Sequence, residues 1–111
     1  MLIYKIFRAE EFRELLEQGQ TDGAPVDRAD GFVHFSTGDQ VKETAARHFS
    51  GENDLVLLGV EADTLGDALK WEASRGGALF PHLYRALRLD DVLWHEPLRQ
   101  ENGLHKFTRT L

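Results

Sequence analysis

Apolar and polar positions alternate through residues 30–37, Asp-Gly-Phe-Val-His-Phe-Ser-Thr. On a strand, Phe32, His34 and Ser36 would share one face and Val33 and Phe35 the other, because successive side chains point to opposite sides. The strand is expected to run straight into a helix. Thr37-Gly38-Asp39-Gln40 fits a capping box, with Thr37 as N-cap and Gln40 three residues on. Val41, Ala45, His48 and Phe49 then form one stripe, and Gly51 ends the helix.

The same patterning organises the rest of the chain. Residues 2–7 read as a strand, with Tyr4 and Ile6 on one face. Glu10 and Glu11 open a helix whose buried stripe is Phe12, Leu15 and Leu16, and Gly19 is its stop. Residues 20–28, with Gly23 and Pro25, read as a loop. Residues 54–61 contain a run that is apolar on both faces, the pattern of a central strand covered on both sides. A turn is expected at 63–67 and a strand at 68–73, with Leu69 and Trp71 on one face and Lys70 and Glu72 on the other. Ser74-Arg75-Gly76-Gly77 is a loop carrying a cation. Phe80-Pro81 leads into residues 82–87, where His82 and Tyr84 share a face. A last strand begins at Val92 and is expected to stop near Pro97, with a strand-like end at 106–108. Two helices followed by several strands favour an α+β class over a wound parallel sheet.

Composition narrows the function classes. The 111 residues suit one domain spanning 1–111. A net charge of -6 argues against a general nucleic-acid binder, whose affinity comes from neutralising phosphates, though not against a local basic pocket. The absence of cysteine removes disulfides, thiol nucleophiles and cysteine-ligated metals. No apolar run approaches the ~20 residues of a membrane span. The first residues lack the features of a signal peptide, so a cytoplasmic location is expected.

Three clusters mix aromatic or glycine residues with charged and hydroxyl groups, which is how clefts are walled. They are His34-Phe35-Ser36-Thr37, Trp71 to Gly77, and Phe80-Pro81-His82-Leu83-Tyr84-Arg85. The five histidines are scattered with no helical i, i+4 pair, so no metal is expected. Two-histidine phosphoesterase chemistry finds its first motif in His34-Phe35-Ser36, but His82-Leu83-Tyr84 does not supply the second. A Gly-x-Ser-x-Gly elbow and a Walker or Rossmann glycine pattern are both missing. What remains is an anion site at the Ser36–Thr37 helix start, helped by Arg75 or Arg85. Phe32, Phe80 and Tyr84 could sandwich a base or nicotinamide. Glu72 could steady a cationic, oxocarbenium-like carbon.

Together, Ile3-Tyr4-Lys5-Ile6, the 30–37 stretch, Trp71-Glu72, Ser74-Arg75-Gly76-Gly77 and Phe80-Pro81-His82-Leu83-Tyr84 closely resemble a small bacterial family labelled domain of unknown function 952. The likeness runs in the same order over residues 2–97. It implies a fold similar to ADP-ribosyltransferases: a split, strongly bent mixed or antiparallel sheet, here with two main helices from the N-terminal half, and a cleft that grips NAD. That superfamily places a histidine or arginine on the first strand, an aromatic on the second and a later glutamate. The matching positions here look like Lys5, His34 and, by character, Glu72. The expectation is therefore a cleft for NAD or a related phosphorylated nucleotide. His34 and Glu72 would be catalytic if ADP-ribosyl transfer or NAD glycohydrolysis occurs. Ser36, Thr37, Ser74, Arg75, His82 and Tyr84 would bind the ligand. The alternative is a non-catalytic module on a degenerate fold of the same type, binding a ligand or a protein.

Overall fold

The computed structural model describes residues 1–111, apart from the side chain of Arg75. The run that is apolar on both faces becomes β5 (Leu55–Glu61), the middle of a five-stranded antiparallel sheet. On one side β5 pairs along its whole length with β1 (Leu2–Arg8), from Leu2 opposite Glu61 to Arg8 opposite Leu55. On the other it pairs with β9 (Val92–Glu101), with a bulge at Gly59/Val60. The short β4 (Ser36–Thr37) and β10 (Leu104–Lys106) close the two edges. Alternation along β1 sends Ile3, Lys5 and Phe7 to one face, and Tyr4 and Ile6 to the other. Each face carries its own core.

Two smaller antiparallel sheets curl against this body. One joins β2 (Gln20–Thr21) to β8 (Leu87–Arg88). The other has the order β3 (Val33–His34), β7 (Leu79–Leu83), β6 (Leu69–Ala73). Among the described residues every strand pairing is antiparallel, and the mixed sheet considered from sequence is not formed.

Three α-helices accompany the sheets: α1 (Ala9–Gln18), α2 (Pro25–Asp30) and α3 (Val41–His48). The second was expected to be loop. Pro25 stands at its first turn, where the missing N–H has no partner to lose and the fixed φ is already helical. Gly31 closes it at φ 85°. A proline and a glycine that read as loop punctuation are here the start and stop of a short helix.

The 30–37 stretch also differs from a single strand feeding a helix. It changes sheets in mid-course: β3 pairs with β7, and after Phe35 the chain turns so that β4 pairs with β1. Phe35 keeps its own link, donating its N–H to the Pro81 carbonyl at 2.9 Å. The helix begins at Val41 rather than after Thr37. Gln40 still reaches back to accept from the Thr37 N–H at 3.0 Å, so one half of the expected capping box is made across a turn. In α1 it is Glu11 that is buried, accepting from the Arg8 N–H at 2.9 Å, while Leu16 faces solvent.

The last strand runs through Pro97 instead of stopping there. Pro97 lies opposite Val56, while β10 covers β9 only from Arg99 to Glu101. The outer side of Pro97 therefore meets no strand that would need its N–H.

Candidate functional site

The site grows from a charge that the fold forces inward. Lys5 falls between Ile3 and Phe7 on a buried face of β1 and is 6% exposed. A buried ammonium needs partners. Its Nζ donates to Asp27 Oδ2 and to the His34 carbonyl, both at 2.8 Å. Burial pushes the Lys5 ammonium below its ordinary range, and the Asp27 charge opposes that.

Asp27 is the hub. As the third residue of α2, its Oδ2 accepts the Ala24 N–H at 2.7 Å. Its Oδ1 accepts the His34 N–H at 3.0 Å and lies 2.6 Å from His34 Nδ1. Gly23, at φ +100°, gives it room, since a Cβ there would overlap the Asp27 carboxylate. Burial by itself would raise this carboxyl, but the His34 hydrogen bond and the Lys5 charge prevail and hold it at about 2. Ionised Asp27 thus fixes the His34 ring with a proton on Nδ1. On the far side, His34 Nε2 is 3.0 Å from Asp30 Oδ2.

A second imidazole faces the first. The β3–β7 register sets His82 directly opposite His34, and their ring centroids are 5.3 Å apart in an edge-on arrangement. Phe32 stacks on His82 at 4.1 Å and also touches the His34 and Tyr84 rings. His82 Nδ1 lies 2.7 Å from Glu72 Oε1, and the Tyr84 hydroxyl donates to the same oxygen at 2.7 Å. The Tyr84 and His82 contacts hold the Glu72 carboxyl below its ordinary range, and Glu72 in turn pushes the Tyr84 hydroxyl up. Each histidine therefore has a carboxylate at Nδ1.

Both rings line one cavity of about 770 Å³, bounded by β1, the α1 start, α2, the β3–β4 bend and α3. Its polar lining includes Lys5, Arg8, Glu10, Glu11, Ser36, Thr44, His48 and Ser74. Tyr4, Ile6, Phe35, Val41, Phe49 and Phe80 supply apolar wall. Arg8 is paired with Glu52 through two contacts of 2.8 and 3.1 Å and lies over the Phe49 ring.

The structure brings His34, Ser36, Ser74 and His82 to this cavity. Ser36 Oγ is 2.8 Å from Thr44 Oγ1. Glu72 and Tyr84 stand behind His82 rather than among the lining residues, and Tyr84 instead borders a smaller cavity of about 350 Å³ beyond Phe32. Thr37 lies outside the lining, and its N–H is taken by Gln40, so the helix start proposed to hold anionic oxygens is not built there. Arg85 is committed to Asp91 through contacts of 2.8 and 3.0 Å. The Arg75 side chain lies outside the described residues.

Asp27 was not foreseen, because residues 20–28 read as loop, and Asp30, although it opens the 30–37 stretch, was assigned no role. The signals were a lysine inside an apolar strand, which demands a buried anion, and Pro25 set two residues before an aspartate. Among the described residues, no group of three or more His, Asp or Glu side chains is arranged to hold a metal ion. None of the described helices is long and apolar enough to cross a membrane.

These features define an α+β protein with a curled antiparallel sheet and a cavity walled by two carboxylate-bound histidines. Residues 6–95 match the family model described as protein of unknown function (DUF952), and the chain belongs to that family. It is similar to protein CC0527 from Caulobacter crescentus. The crystal structure of that protein shares 50% identity and a TM-score of 0.92, covering 96% of this chain and 94% of the other. Its solution NMR structure gives 52% identity and a TM-score of 0.83, covering 93% and 90%. No curated protein matches.

Proposed function

We propose that the cavity binds a phosphorylated nucleotide, with NAD the first member of that class to test. The carrying observation is the cavity's composition. In a chain of net charge -6, three histidines, His34, His48 and His82, join Lys5, Arg8, Glu10 and Glu11 at one concave surface with aromatic walls. The volume of about 770 Å³ falls within the range that holds a nucleotide-sized ligand. Phosphate oxygens would be held at the imidazoles, and a base or nicotinamide ring against Phe80.

The same reading carries the finer fold proposal, an ADP-ribosyltransferase-like arrangement, which rests on the resemblance in sequence. In the resemblance, glycosidic chemistry of that type would call on Glu72 as the carboxylate at the cavity. Glu72 points its Oε1 to His82 and Tyr84 instead. That placement favours a binding role over ADP-ribosyl transfer.

A thermal-shift series with NAD, ADP-ribose, nicotinamide and inorganic phosphate tests the proposal. A specific ligand at 100 times its dissociation constant should stabilise the chain by about 2.7 kcal/mol. The shift should vanish in a folded His34→Ala variant. Absence of any nucleotide shift would sink the reading.

A further inference from the structure

The geometry points to His34 and His82 as a general acid–base pair that hydrolyses a phosphodiester of a ribose hydroxyl, a nucleoside cyclic phosphate being the simplest substrate. This rests on the nucleotide reading of the same cavity and adds a reaction to it. Sequence spacing offered only one of the two motifs that such chemistry uses. The fold supplies the second histidine across the β3–β7 register, 5.3 Å from the first between ring centroids.

The partners divide the roles. His82 has a single carboxylate contact, Glu72 at Nδ1, so its proton belongs there and Nε2 keeps a lone pair. His34 has carboxylate oxygens near both nitrogens, Asp27 at 2.6 Å and Asp30 at 3.0 Å, so its Nε2 side is the one placed to donate. His82 Nε2 takes a proton from water as the water oxygen bonds to phosphorus. The phosphorus–ribose oxygen bond breaks as that oxygen takes the place of the half-exposed Asp30 carboxylate at His34 Nε2 and receives its proton. The products are a free ribose hydroxyl and a phosphomonoester. Solvent then returns a proton to His34 and removes one from His82.

The leaving group follows from this arrangement. An alkoxide needs a proton donor in the transition state, whereas an anhydride leaving group is already a weak base and gains little from one. Paired donor and acceptor imidazoles therefore suit a ribose ester better than a pyrophosphate.

The test is incubation of the full chain with adenosine 2′,3′-cyclic phosphate in EDTA, following release of adenosine monophosphate, alongside melting curves with adenosine monophosphate and NAD. Hydrolysis is expected, falling about 100-fold or more in His34→Asn and in His82→Asn. Melting of each variant reports whether it is folded. Should either fail to fold, Glu72→Gln, at a half-exposed side chain, replaces it. That variant should slow hydrolysis while leaving the melting shift with adenosine monophosphate in place. A nucleotide melting shift without hydrolysis by the wild-type chain overturns the acid–base pair and leaves the binding proposal standing. Hydrolysis unchanged by all the folded variants also overturns it. Neither shift nor hydrolysis overturns both.

Discussion

Asp27 does at the residue scale what no neighbour can replace. It neutralises Lys5, caps α2 and orients His34 with one carboxylate. Removing its charge leaves an ammonium buried without compensation, so Asp27→Asn should destabilise the chain by about 3–5 kcal/mol in denaturant titration. Lys5→Met in the same chain should recover part of that loss, because two apolar or neutral groups need no pairing. The pH dependence follows from the same group. Its folded value of about 2 lies below the ordinary 3.8, so the unfolded chain binds the proton first as pH falls. The stabilisation, about 2 kcal/mol, is complete above pH ~4 and lost progressively as pH drops towards 2. Acid titration of Asp27→Asn should lack that component.

Two glycines separate backbone strain from packing at the scale of elements. Gly31 ends α2 at φ +85°, and nothing lies within 4 Å of where a Cβ would stand. Gly31→Ala should therefore cost only the left-handed conformation, roughly 1–2 kcal/mol. Gly59 has no such φ, but a Cβ there would overlap the Trp94 indole across the β5–β9 pair. Trp94 is itself held between Tyr4 and the Arg109 guanidinium, so it cannot move aside freely. Gly59→Ala should destabilise by about 1–3 kcal/mol through displaced packing. Equilibrium unfolding distinguishes the causes, since a Trp94→Ala background should relieve the Gly59→Ala loss and leave the Gly31→Ala loss unchanged.

For the whole molecule, the five-stranded sheet has buried cores on both faces, while the β3–β7–β6 sheet leaves Trp71 and Leu79 exposed. Stability should be graded accordingly. In native-state hydrogen exchange, the amides of β5 and β1 should open only with global unfolding, and those at the outer edge of β6 should exchange sooner by local opening. Because His82 and Glu72 sit on the smaller sheet, a ligand that bridges both histidines should slow exchange in β6 and β7 preferentially.

Local chemistry alone was enough for much of this. Apolar periodicity marked β1, β5, α1 and the stripe of α3, since burial on one face or two imposes a period that a single chain displays. The motifs around His34 and His82 were legible for the same local reason. The loop assignment of 20–28 was not, because Pro25 and Gly31 have the same composition whether they interrupt structure or bound a helix. The bend at Phe35 depends on two different partner strands, β7 and β1, far away in the chain. Likewise, Asp27 acquires its role only when β1 brings Lys5 beneath α2, and His82 only when register places it opposite His34. Sequence by itself determined which segments must be buried and which carried titratable groups. Tertiary structure decided which charges meet, because pairing across 22 or more residues of chain is set by sheet register and not by spacing.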